Sequence, residues 1–226
     1  MLNSVVTQVD KLIAKQVESM YAIMEVYYTN TSYKAFTEDL KKKKDVVLLL
    51  DEQDNIRGFT TLAVFSYDGQ TQLLYSGDTI VEKEYWGQHN LSQAWILNAL
   101  EYAEKFAGIT YWFLLSKGYK TYKYLTTFFN EYYPRVDKET PDGLQRIMDT
   151  FAKQQYGGKY RNGVWVAGND YLKDEYDNTD KSAKRDRNTA FFLEKNPGYM
   201  NGDELICLCE ISVNNLNRIG RRVLGR

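Results

Sequence analysis

The spacing of apolar positions changes along the chain, and each change marks the border of an element. Val5, Val9, Leu12, Ile13, Val17, Met20, Met24 and Tyr27 recur at intervals of three and four, which predicts a helix over the first 30 residues. Asn30-Thr31-Ser32 breaks it, and a second helix is expected over 33–43. The period then shortens. Residues 46–50, 56–65 and 70–81 read as strands, separated by the polar turns Asp51–Asn55 and Tyr67-Asp68-Gly69, an antiparallel meander. Residues 82–90 read as a loop. The helix expected over 91–106 is apolar on most sides and so largely buried, with Asn90 as its N-cap, Gln93 in the capping-box position and Gly108 beyond its end. Residues 110–115 are apolar on both faces, as a central strand is. Helices are expected over 118–133, ended by Pro134, and over 142–155. Short strands are expected over 164–167 and 204–213, with one or two helical turns at 189–194 and a charged, turn-rich excursion at 170–187. The basic stretch 218–222 reads as a frayed terminus.

A helix between two strands implies a right-handed crossover, so 75–81 and 110–115 are expected to pair in parallel. The class is therefore α/β (α+β), a mixed central sheet flanked by helices. Composition fits one domain: 226 residues, with 29 Lys+Arg against 30 Asp+Glu. That balance removes the basic excess expected of a nucleic-acid binder. The longest apolar runs are about six residues, far short of the ~18–20 of a membrane helix, and the first residues lack the pattern of a secretory signal. Cys207 and Cys209 share one face of a strand and cannot bond to each other. With His89 the only histidine, they leave no metal-ligand set and no Ser-His-Asp hydrolase motif. The thiols suit a reducing cytoplasm. Lys41–Lys44 reads as the solvated, cation-favouring end of a helix; an anion-binding patch is the alternative.

Two stretches carry a resemblance. The strand end Tyr75-Ser76-Gly77-Asp78-Thr79-Ile80-Val81 runs through Glu84-Tyr85-Trp86-Gly87-Gln88-His89-Asn90-Leu91 into the buried helix. The second is Leu114-Leu115-Ser116-Lys117-Gly118-Tyr119-Lys120-Thr121-Tyr122-Lys123-Tyr124. Together they resemble the GNAT (GCN5-related N-acyltransferase) superfamily over about residues 46–134. The first stretch is similar to the family's pyrophosphate loop, Q/R-x-x-G-x-G/A, in a degenerate form. Trp86 stands at its first position, His89 and Leu91 stand where glycine or a small residue is usual, and only Gly87 remains.

The resemblance implies a single GNAT-like domain, 1–226, with a charged insertion at about 168–200 and a basic tail. It implies acetyl-CoA or a longer acyl-CoA (or a carrier thioester) as co-substrate, no metal, and an amine of a small molecule or peptide as acceptor. Cofactor contacts would fall on Ile80, Val81, Gly87, Gln88, His89, Asn90, Leu91 and Ser116. A backbone N–H near Val81 would hold the acyl oxygen, and the N–H groups of Gln88 to Leu91 would converge on phosphate. The family's tyrosine acid falls between Tyr122 and Tyr124, with Tyr122 preferred for its place beside the packed face. Asp78, or a water it orders, would be the base. The helix pair carrying Tyr21, Met24, Tyr27, Tyr28 and Tyr33 would border the acceptor groove. Two other readings compete. One is a GNAT-like binding module without catalysis. The other is an RNA- or protein-binding factor using Lys41–Lys44, Lys117, Lys120 and Lys123 among tyrosines.

Overall fold

A computed structural model describes residues 2–165, 170–176 and 185–225. The meander of β3 (Asp45–Leu50), β4 (Ile56–Asp68) and β5 (Thr71–Val81) is antiparallel throughout. Helix α3 (Asn90–Lys105) then crosses over to β6 (Ile109–Ser116), which pairs with β5 in parallel. Beyond β6 lie β10 (Glu204–Glu210) and the short strands β8 (Val164–Trp165) and β7 (Tyr160–Arg161). β1 (Asn3–Gln8) borders β3, so the order is β1-β3-β4-β5-β6-β10-β8-β7. This is a mixed sheet flanked by helices.

Both faces are covered. Even-numbered β3 residues Val46 and Leu48 pack with α1 (Ala14–Tyr27) and α2 (Tyr33–Leu40), while Val47 and Leu49 turn to the other side, towards α3 and α4 (Tyr119–Phe128). Helix α5 (Asp142–Tyr156) joins α1 and α2 on their face, over Phe113, Ile206 and Leu208. Helices α6 (Arg187–Lys195) and α7 (Arg218–Arg222) join α3 and α4.

The structure departs from the sequence reading at several points. Residues 3–8 form an edge strand on β3, not the start of a helix, and α1 begins only at Ala14. Val5 and Val6 fit either period, and β-branched side chains favour the strand. α2 ends at Leu40, so Lys41–Lys44 forms the turn into β3; within it Lys43 is buried rather than solvated. α4 stops at Phe128, because Phe129 and Tyr133 leave it to bridge Leu216 and Leu208. β10 ends at Glu210. The strand expected at 164–167 is seen at Val164–Trp165; Val166 and Ala167 lie outside the described residues. The charged excursion comes back to the core, since β9 (Tyr171–Leu172) pairs with β2 (Tyr28–Thr29). Residues 177–184 lie outside the described residues. The basic tail is not frayed: Asn217 caps α7 and Gly220 is buried. Gly220 must be glycine, because a Cβ there would sit 2.2 Å from the Phe128 carbonyl oxygen.

Candidate active site

The site begins where two strands part. The β5–β6 ladder runs from Thr71↔Ile109 to Ser76↔Leu114 and then stops. β5 continues to Val81 on β4 alone, and β6 continues to Ser116 on β10 alone. The expected parallel pairing is thus present, but it covers 71–76, and 77–81 is splayed from β6. The cause is a bulge. Thr60 faces Thr79 and Leu62 faces Ser76, so Gly77 and Asp78 together oppose the single residue Thr61. The extra residue bends the strand and shifts its alternation by one. Tyr75 faces α5, and after the bulge Ile80 faces α1 and α2 on that same side of the sheet. Asp78 is thereby turned into a groove instead of towards the α3 core. Gly77 is required here: a Cβ would meet Thr61 Oγ1 at 2.5 Å and Lys43 Cε at 2.8 Å. At the fork, Trp112 Nε1 donates to Ser76 Oγ at 2.8 Å.

The bulge also leaves backbone donors without a neighbouring strand. Glu82 N–H donates to the Arg57 carbonyl at 2.9 Å, which fixes the alternation of the ladder. The N–H groups of Thr79 and Val81 then point to the side that β6 has left.

Two cavities meet at this gap and share Tyr28, Thr79, Ile80, Lys117 and Thr121. One, of about 420 Å³, lies between the end of β5, the loop after it and α4. Lys117, Lys120 and Lys123 line it together with aromatic rings; no carboxylate lines it among the described residues, and Lys123 is paired from outside it by Asp186 at 3.5 Å. Lys120 Nζ stands 3.7 Å over the Trp86 ring. The other, of about 580 Å³, lies between the α1–α2 pair and α5. Four acids line it: Asp39, Asp78, Asp170 and Glu204. The strap formed by β2 and β9 passes over the junction, placing Tyr28 in both cavities and Leu172 in the first.

Electrostatics in the groove follow from burial. Lys43 Nζ pairs with Asp39 at 2.8 Å and lies 4.5 Å from the Tyr75 ring centroid. Lys117 Nζ pairs with Asp170 at 2.7 Å and Glu204 at 3.3 Å, and lies 5.1 Å from the Tyr28 ring centroid. Asp78 makes no hydrogen bond or ion pair among the described residues. Burial pushes its carboxyl up to about 6, with the Asp39 charge adding to the rise and Lys43 opposing it. Burial likewise raises Glu204 to about 7 against the pull of Lys117, and Tyr28 to about 12.

The residues singled out in the sequence divide on placement. Asp78 lies in the acidic groove; Ile80, Val81, Gly87, Gln88, His89 and Tyr124 line the cationic cavity. Tyr122 does not reach it. It is fully buried, and its hydroxyl donates to the Pro134 carbonyl at 2.9 Å, because Tyr122, Leu125 and Phe128 form the core stripe of α4. Ser116 is also buried, with its hydroxyl beside Cys207 Sγ. Asn90 is the first residue of α3 and not its cap; His89 holds the cap position. Asn90 Nδ2 donates to the Leu2 carbonyl, and Leu91 is turned into the core with Trp95.

The convergent-amide expectation also needs correction. Gln88 N–H is spent on the Tyr85 carbonyl at 3.3 Å, and Trp86 Nε1 ties the loop back to the Val81 carbonyl at 2.8 Å. Gly87 alone keeps the left-handed conformation, φ +86°. The sequence reading missed Lys43, Asp170 and Glu204 in the groove and gave Lys117 a part only in the competing RNA- or protein-binding reading. Only a charge inside or beside an apolar strand, as at Glu204, could have flagged them.

These placements separate the two tyrosines. Tyr124→Phe should leave the folding midpoint almost unchanged, since its hydroxyl makes no hydrogen bond among the described residues. Tyr122→Phe should instead cost about 1 kcal/mol of stability, since it strands a buried carbonyl. Urea unfolding of both variants checks this; an equal loss in the two would mean that the bond from Tyr122 to the Pro134 carbonyl adds nothing to stability.

No family model and no curated protein matches the chain. Solved structures do. It is similar to a GNAT family N-acetyltransferase, YhbS, from Escherichia coli in complex with CoA: 15% identity over 57% of this chain and 69% of that one, TM-score 0.40. It is similar to an aminoglycoside 6'-N-acetyltransferase complexed with coenzyme A, with 11% identity over 92% and 97% of the two chains, TM-score 0.43. A third is an aminoglycoside acetyltransferase from an uncultured soil metagenomic sample in complex with sisomicin: 17% identity, 62% and 92% covered, TM-score 0.43. Identities this low transfer no substrate and no residue role. The chain's own topology, an antiparallel meander leading through a crossover helix to a parallel pair that splays at a bulge, is a GNAT-like fold.

Proposed function

We propose that this chain transfers an acyl group from an acyl-CoA thioester to a primary amine. The observation that carries the reading is the charge of the two cavities. A cationic, aromatic cavity free of carboxylates among the described residues suits an anionic nucleotide-like ligand, and an acidic groove suits an amine. They join at one gap, on the side to which the N–H groups of Thr79 and Val81 point, where two bound reactants would be held together.

Each group then has a task. The lysines of α4 and the loop at Gly87–His89 hold the diphosphate, with side-chain charge taking over where the glycine-rich cradle has been lost. Asp78 accepts a proton from the bound ammonium. The freed amine nitrogen attacks the thioester carbonyl, and the N–H of Val81 or Thr79 stabilises the developing oxyanion. The C–N bond forms, the C–S bond breaks, Tyr124 donates its phenolic proton to the departing thiolate, and the second proton shed by the new amide nitrogen restores the Tyr124 phenol. Burial raises the Tyr124 phenol above its ordinary value, which keeps that proton in place until it is needed.

A recess of about 20 Å³ between Thr79, Thr121, Trp95 and Trp112 opens beside the gap. Its size supports a short acyl group, acetyl above longer chains. A thermal-shift series with CoA, acetyl-CoA and octanoyl-CoA tests the donor. A ligand at 100 times its Kd adds about 2.7 kcal/mol. The expected result is a clear upward shift with CoA and acetyl-CoA and a smaller one with octanoyl-CoA. No shift with any of them would remove the reading.

A further inference from the structure

We propose that the acceptor is a monoamine whose body is aromatic or apolar, and that polycations are disfavoured; this deepens the acyltransferase reading and rests on it. Most charges in the groove are already paired. Of the four acids lining the groove among the described residues, Asp39 is held by Lys43 with Lys42 at 3.8 Å, and Asp170 and Glu204 share Lys117. Lys43 and Lys117 are fixed in place: their side chains are 4% and 16% exposed, and each lies over a tyrosine ring. One carboxylate, Asp78, remains without a hydrogen bond or ion pair among the described residues. The groove therefore offers a place for one ammonium.

A second ammonium on the same ligand would have to displace Lys43 or Lys117, or lie near their like charges, and buried ion pairs are costly to break. One wall of the groove is aromatic, while Asn30, Thr31 and Ser32 make the opposite rim polar. Phe65, Tyr75, Phe151, Tyr156 and Trp165 line the α5 side, and Trp165 stacks on Tyr156 at 4.7 Å between centroids. Such rings bury an apolar body well, and the cation–π attraction of Tyr75 is already taken up by Lys43. At about 580 Å³ the groove has room for a body of that size.

The experiment titrates the full chain, loaded with CoA, with 2-phenylethylamine and with spermidine by calorimetry, and measures acetyl transfer to both. 2-Phenylethylamine should bind at least about tenfold more tightly than spermidine and be the better acceptor, the gap reflecting the ion pair a polycation must break. Lys43→Met leaves Asp39 only the more distant and exposed Lys42, at 3.8 Å, and should narrow the gap through a gain in spermidine binding. The comparison of the two amines on the wild type stands even if that variant fails to fold. Spermidine binding as tightly as 2-phenylethylamine, or neither amine binding the CoA-loaded chain, overturns the inference. If both are acetylated equally, the inference fails and the acyltransferase reading survives. If CoA itself does not bind, it is the acyltransferase reading that fails.

Discussion

Asp78→Asn is expected to lower the rate of acyl transfer about 10²–10⁴-fold, the range of a positioned general base, and to remove its dependence on pH near 6. The bulge at Gly77-Asp78 turns this carboxylate into the groove, and burial raises it to about 6. The active form is the ionised one. The wild-type rate should therefore rise as pH increases through about 6 and level off above it. Asparagine keeps the shape of the groove but accepts no proton, so the variant should be slow and flat across this range. CoA affinity should be almost unchanged, because Asp78 does not line the cationic cavity. Rates from pH 5 to 8 for both proteins check the prediction. A variant that keeps the wild-type profile would place the base elsewhere.

Lys117→Met should be the most destabilising single change in the site, by about 3–5 kcal/mol at pH 8, as for a buried pair that loses one partner. Lys117 is the one cation shared by Asp170 and Glu204, and methionine would leave both carboxylates in a desolvated groove. The sign of the pH dependence follows from Glu204. Its carboxyl is raised in the folded protein to about 7, from an ordinary 4.5. A raised carboxyl contributes stability that is fully present below its ordinary value and is lost as pH rises through its folded value. Without Lys117 the folded value moves higher still. The deficit of the variant should be largest above about pH 7 and shrink towards pH 5, where Glu204 is protonated. Urea unfolding at pH 5 and pH 8 measures it. An equal deficit at both values would mean that Glu204 does not share the Lys117 charge.

The meander, the buried α3 and the parallel crossover were legible because each rests on a period that local sequence displays. The splay was implied by resemblance, but its physical cause was not visible. A bulge leaves the alternation intact on each side and shifts it by one between them, and Gly77 within a strand was its only local sign. β1 was misread because Val5 and Val6 satisfy a helical and an extended period alike. Tyr122 was a different error: its spacing to Leu125 and Phe128 already marks it as part of the core stripe, leaving Tyr124 to face the cavity. The Lys117–Asp170–Glu204 cluster could not be read in sequence. Its members are the residue after β6, the residue before β9 and the first residue of β10, and only the closed sheet brings them together. Lys43 looked like one of four solvated lysines until the short α2 and the missing Cβ at Gly77 let it fold inwards.

The most direct test of the two-cavity account is a crystal structure of the chain with CoA bound. The account predicts the diphosphate beside Gly87–His89 and the α4 lysines, the pantetheine arm in the gap between Thr79 and Thr121, and the thiol within reach of the Tyr124 hydroxyl, facing the groove of Asp78. CoA bound with its arm outside that gap, or with its thiol turned away from Asp78, would contradict it.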